Sequence, residues 1–158
     1  MFLSDDTFKA VISATPLVSI DLVIENSEGQ YLLGHRANRP AQGLWFVPGG
    51  RILKDESIAD AFSRLTNVEL GLSLIIDEAV FYGVYEHFYD DCAFGDERTT
   101  HYVVLAYKIN LDISLNELPR IQHNDYKWFL KIELLNSEVV HEHSKWYLLS
   151  NNKIMGVA

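Results

Sequence analysis

The stretch from Gly49 to Leu72, Gly-Gly-Arg-Ile-Leu-Lys-Asp-Glu-Ser-Ile-Ala-Asp-Ala-Phe-Ser-Arg-Leu-Thr-Asn-Val-Glu-Leu-Gly-Leu, constrains this chain more than any other. It has the make-up of a loop that feeds a helix. Ser57, with Asp60 following, is placed to cap the helix start, and Gly71 is placed to end it in a left-handed conformation. Between them Ile58, Ala61, Phe62 and Leu65 recur at helical spacing, so one face is apolar and is expected to press on a sheet. Glu69 breaks that pattern. At about 100° per residue it falls between Ile58 and Phe62, inside the apolar stripe. It also stands in the last turn, where the helix dipole disfavours negative charge. A carboxylate there is costly unless a cation or hydrogen-bond donors meet it, and a bound metal answers both problems.

With 158 residues the chain can bury one proper core and is short for two. No long uncharged run could span a bilayer, and Met1-Phe2-Leu3 is followed at once by Ser4-Asp5-Asp6, so no secretory signal is expected. One cysteine excludes a disulfide framework and fits a reducing cytoplasm. That residue, Cys92, follows Asp90 and Asp91 and reads as a bystander. A net charge of −9 argues against wrapping a nucleic-acid backbone. Against that acidic background Arg36, Arg39 and Arg51 bracket the loop before the helix, a local basic mouth suited to a small, highly charged ligand.

Ser4 can cap a short helix whose Phe8, Val11 and Ile12 share a face, ended by Pro16. From Leu17 to Glu25 the chain alternates as a strand, with Val18, Ile20, Leu22 and Ile24 on one face. Asn26 to Gly29 is turn chemistry, and Tyr31 to His35 returns as a strand. The segment from Arg36 to Gly43 is expected as a loop, Trp45 to Val47 as a short strand, and Pro48-Gly49-Gly50 as its break. Strands are expected over Ala79–Tyr89, Tyr102–Ile109 and Tyr126–Leu130, with a solvated connection from Asp90 to Arg98 and a polar segment from Leu115 to Asp125. A C-terminal helix is expected between Ser137 and Asn151. Strands interleaved with helices make an α/β sandwich with a mixed sheet.

Several polar residues stand where chemistry is conceivable. Asp21 sits inside an otherwise apolar strand, where it needs a partner: a buried ion pair and direct ligand contact are both open. Arg36 and Arg51 flank the loop into the helix, and two arginines beside a metal suit a diphosphate. Glu56 and Arg64 read as structural supports of that loop. His87 lies in an aromatic strand as a core residue, and His141 and His143 read as solubilising. His123 lies in the polar run Gln122-His123-Asn124-Asp125, where an imidazole titrating near neutrality can take a proton from water.

Gly50, Glu56, Arg64, Glu69, Gly71 and Leu72 stand in the register of the Nudix hydrolase box, which the stretch resembles. Leu65 and Val68 replace two of that box's metal-binding glutamates, leaving Glu69, and Thr66 fills an aliphatic slot. Outside the box, Thr15 to Ser19, Asn38 to Gly43, Phe81 to Val84, His87 to Asp91 and Thr99 to Val104 resemble the GDP-mannose mannosyl hydrolase branch, including its shortened Arg-Leu box. The resemblance implies a Nudix fold, an α/β/α sandwich with a mixed β-sheet, over a single domain spanning residues 1–158. It implies one Mg²⁺ per subunit, with Mn²⁺ as a substitute, held by Glu69, the Gly49 carbonyl and Gln122. It implies water attack on the anomeric carbon with His123 as general base, and with Arg36, Arg51 and Tyr102 stabilising the departing GDP. Asp21 and His87 would contact a GDP-mannose or GDP-glucose substrate, in a cytoplasmic homodimer without nucleic-acid or membrane partners. A conventional pyrophosphatase acting at phosphorus and a silent nucleotide-binding module are the alternatives.

Overall fold

A computed structural model describes residues 2–119 and 123–149, with 123 and 124 described in backbone only. Alternation in Leu17–Glu25 produces the strand on which the sheet is built. This β1 (Leu17–Glu25) runs parallel to β6 (Thr100–Asn110), from Leu17 opposite Tyr102 to Glu25 opposite Asn110. β5 (Val80–Tyr89) pairs antiparallel with β6 at the sheet edge. On the other side, Asn26 Oδ1 accepts from the backbone N–H groups of Glu28 and Gln30, and Gly29 takes the left-handed conformation (φ 75°) that closes the turn into β2 (Gln30–Arg36).

β1 and β2 then part company. They pair at Glu25 and Tyr31, after which β1 takes β4 (Gly49–Arg51) as its neighbour and β2 takes β7 (His123–Leu130), with β3 (Trp45–Phe46) along its far end. The mixed sheet therefore splits at one end. The segment Pro48-Gly49-Gly50, expected to break a strand, instead begins one: Gly49, Gly50 and Arg51 face Asp21, Ile20 and Ser19 of β1. Glycine has poor strand propensity, and the preformed edge of β1 overrides it.

Both faces of the sheet are covered, so the alternation of β1 sends residues into two cores. Ile20, Leu22, Ile24 and Leu32 pack with Ala61, Phe62, Leu65 and Leu70 of α2 (Ile58–Leu70). Val23, Leu33, Val104 and Phe129 pack on the opposite side with Leu134 of α3 (Lys131–Asn136), and with Tyr147 and Leu148 just beyond α4 (Glu142–Trp146). This is an α/β/α sandwich. α1 (Asp5–Ala14), capped by Ser4 Oγ on the Thr7 N–H, sends Ile12 against Leu17 and Cys92. No helix among the described residues is long and apolar enough to cross a membrane.

Four further expectations change. Ile58 is exposed at the rim of α2 instead of on its buried face. The C-terminal helix expected between Ser137 and Asn151 is the short α4, and an unexpected α3 precedes it; the segment is tied to β3 by the Trp45 N–H donating to the Val139 carbonyl and the His141 N–H donating to the Trp45 carbonyl. The 90–98 connection is partly packed, because Cys92 is buried and Phe94 stacks edge-on to Phe8 (centroids 5.8 Å). β7 begins at His123, not Tyr126.

Candidate active site

The split between β1 and β2 opens a cleft of about 450 Å³ at the mouth of the box loop. Asp21, Arg36, Gly49, Arg51, His87 and Tyr102 all line it. Register explains the convergence. Asp21 lies opposite Gly49 across β1 and β4, while Tyr102 on β6 lies opposite both Leu17 and His87. Arg36 ends β2 and stands over the Phe46 ring (5.3 Å), and Arg51 ends β4 over the Phe8 ring (4.4 Å). Those two guanidiniums are braced by aromatic faces and, apart from the Arg36 Nε–H that donates to the Asn38 carbonyl, have N–H groups to offer an anion. Neither Arg36 nor Arg51 forms an ion pair with an acid of the described residues.

The Arg36 Cα faces that of His123 across β2 and β7, so the backbone of the last strand starts at the cleft edge. Gln122 lies outside the described residues, as does the side chain of His123.

The box loop is held by its own ion pair. Arg64 Nε donates to Glu56 Oε1 at 2.6 Å and its Nη2 donates to Glu56 Oε2 at 2.9 Å and to the Arg51 carbonyl at 2.9 Å. Glu56 Oε2 also accepts from the Leu53 N–H. The Arg64 guanidinium holds the Glu56 carboxyl below its ordinary range. α2 then runs from the Ser57 cap to Gly71 (φ 74°) with Glu69 1% exposed on its buried face. Glu69 is not among the residues that line the cleft, but its charge acts on Asp21, which does.

Behind Asp21 lies a group of residues that sequence reasoning did not connect. Asp21 keeps some surface open to the cleft, yet desolvation pushes its carboxyl up to about 7, opposed by the Tyr147 hydrogen bond and Arg36 and reinforced by Glu69. Tyr147 O–H donates to Asp21 Oδ2 at 2.5 Å and its oxygen lies 3.3 Å from His87 Nε2. His143 stacks on His87 (4.2 Å, 15°) and His141 on Phe46 (4.5 Å, 27°). Burial pushes His87 down to about 2, His143 to about 3 and His141 to about 4, so these rings are neutral. The solubilising role expected of His141 and His143 is thus corrected: His143 on α4 is 2% exposed, and His141, the N-cap of α4, is half-buried against Phe46. The signal available was their spacing beside Trp146 and Tyr147, an aromatic run too apolar for a solvated face.

The donor chemistry fits one divalent ion. A Cβ on Gly49 would collide with the Ile20 carbonyl and lie 2.7 Å from Asp21 Oδ1, so only glycine lets this strand lie so close to β1 and Asp21. The Gly49 carbonyl and the Glu69 carboxylate are hard oxygen donors of the kind that suit Mg²⁺, and the charge of Glu69 acts on Asp21, which faces Gly49. Among the described residues no three His, Cys, Asp or Glu side chains gather as a metal cluster.

These features have relatives. A model of the NUDIX domain matches residues 15–149. Over 125 residues the chain is 42% identical to the low-salt glycan biosynthesis protein Agl8 of Haloferax volcanii, covering 79% of this chain and 78% of that protein. A MutT NUDIX hydrolase from Burkholderia pseudomallei superposes with a TM-score of 0.67 at 26% identity, over 85% of this chain and 96% of that one. The MutT protein from Methanosarcina mazei Go1 gives the same TM-score at 18% identity over 85% and 92%, a likeness of fold alone. With its split sheet, its glycine-led box and the helix that follows, the chain belongs to the Nudix hydrolase family.

Proposed function

We propose that this protein hydrolyses GDP-mannose, or a closely related GDP-hexose, to GDP and free sugar by water attack at the anomeric carbon with inversion. The observation that carries this reading is a cleft in which Arg36, Arg51 and Tyr102 converge with Asp21 and His87 in front of a box helix whose buried acid is Glu69 alone. Nudix hydrolases act on small nucleotide derivatives and generally use divalent metals. Attack on phosphorus is commonly served by several ions on several carboxylates, and this box has lost two of them. Displacement at carbon needs less, because GDP departs well once its charge is met.

Glu69, the Gly49 carbonyl and Gln122 would hold one Mg²⁺, with Mn²⁺ as a substitute, and the ion would supply positive charge at the diphosphate. Arg36, Arg51 and the Tyr102 hydroxyl neutralise the charge gathering on the leaving group as its bond to the anomeric carbon breaks. His123 accepts the proton of the water whose oxygen forms the new bond on the opposite face of the sugar. Asp21 and His87 engage the sugar. The same resemblance carries the proposals of one domain over residues 1–158, a homodimer and a cytoplasmic setting.

Hydrolysis in isotopically heavy water tests the reading. Label in the released hexose, with the inverted anomer first in proton NMR, supports it. Label in a phosphate, with a nucleoside monophosphate as product, overturns it in favour of a pyrophosphatase. A parent protein that binds GDP but turns over no GDP-hexose overturns it in favour of a binding module.

A further inference from the structure

We propose that Tyr147 is a positioning residue for the sugar-binding end of the cleft, its single hydroxyl holding Asp21 and His87 in one row and fixing which imidazole nitrogen carries the proton. The inference rests on the reading above that those two side chains meet the sugar. Tyr147 itself is 1% exposed and does not line the cleft, so it acts through them.

A phenol has one proton to give. When Asp21 is ionised, the 2.5 Å contact to its Oδ2 is the shorter and the one the carboxylate strengthens, so the proton goes there. At 3.3 Å from His87 Nε2, the Tyr147 oxygen can then only accept. Nε2 therefore carries the hydrogen of the neutral ring and Nδ1 is its bare acceptor. The ring has little freedom to do otherwise. His143 stacks on one face at 4.2 Å and Trp146 stands edge-on at 5.7 Å and 65°. Tyr147 is fixed in turn by Tyr85, edge-on at 4.6 Å and 78°. One short helix and its cap thus bring three side chains onto groups from β1 and β5 that would otherwise rotate independently.

The chemical consequence is a preference. A carboxyl held at one oxygen and an imidazole presenting a lone pair suit a ligand that donates hydrogen bonds, as sugar hydroxyls do, and repel a phosphate or carboxylate placed there. Nucleotide charge belongs at the arginine end and a neutral polyol at this end.

Tyr147→Phe keeps the ring and removes one oxygen. In nitrogen-labelled parent protein without ligand, at a pH well above 7 where Asp21 is ionised, His87 should give the NMR pattern of the Nε2–H tautomer, and the variant should lose that preference. With whichever sugar nucleotide the parent turns over, kcat/KM should fall about ten- to a hundredfold, the loss expected for a hydrogen bond to a charged group, while GDP affinity stays unchanged. An Nδ1–H tautomer in the parent overturns the proposal, and that spectrum decides even if the variant does not fold. A variant matching the parent in tautomer and kcat/KM overturns it, as does an equal loss of GDP affinity, which would mark general damage. A parent inactive on every GDP-hexose sinks the proposed activity instead, and the tautomer spectrum still judges Tyr147.

Discussion

Glu69 was legible in the sequence because helical spacing placed a charge in an apolar stripe, and the structure leaves it 1% exposed. Glu69→Gln keeps the volume and removes the charge. If the residue holds the ion, metal titration of activity should show turnover down at least about a hundredfold, since even residues that only support a ligand cost ten- to a hundredfold. His123→Gln should lower kcat by roughly a hundred- to ten-thousand-fold while leaving Mg²⁺-dependent GDP binding intact. Glu56 makes a different kind of prediction. Its carboxyl sits below its ordinary range because of Arg64, so its contribution is present above the ordinary glutamate pKa and is lost as pH falls through the lower folded value. Glu56→Gln should cost about 1–2 kcal/mol in denaturant unfolding at neutral pH, discounted for the partial exposure of Arg64, with the deficit shrinking in acid. Tyr147 was not legible at this scale. Nothing in a tyrosine near the C-terminus says that it meets an aspartate on the first strand, because that contact exists only once α4 has docked.

At the scale of elements, the sequence yielded the strands that alternate and the helix with both caps, where local signals agree. It did not yield β4, where two glycines are recruited by an existing edge, nor α3; α4 falls inside the expected 137–151 range but is short, and it is held by backbone bonds to Trp45 and by the Val47 N–H donating to Ser144 Oγ. The two glycines of β4 should behave differently. A Cβ on Gly49 runs into the backbone carbonyl of Ile20, and backbone cannot swing aside. A Cβ on Gly50 meets Leu65 Cδ2 at 2.5 Å, the end of a side chain with other rotamers. Gly49→Ala should therefore lower the Tm by more than Gly50→Ala and should displace β4 from Asp21, weakening metal-dependent activity further than its stability loss explains. Equal Tm losses in the two variants would show that β4 yields as easily as a leucine side chain.

At the scale of the whole molecule, the buried imidazoles set the response to acid. His87 and His143 are held at about 2 and 3 in the folded protein, whereas an unfolded chain protonates them near the ordinary histidine value. Below that value the unfolded state binds protons that the folded state refuses, so stability falls as pH falls, by up to about 1.4 kcal/mol per pH unit for each ring. Asp21 works the other way. Its folded value of about 7 lies above its unfolded one, so between the two it favours the folded state more as pH falls and cancels roughly one imidazole's share. The net sign is destabilisation, since His141 adds to the two buried rings. Denaturant unfolding of the chelator-treated protein should show stability dropping from pH 6.5 towards 5, above the range where the Glu56 contribution is lost. His143→Phe, which keeps a flat ring against His87, should flatten that slope by up to one proton's worth. A slope unchanged by the substitution would mean that His143 takes up its proton without unfolding, and that α4 releases the ring more easily than its packing against His87, Tyr89 and Trp146 implies.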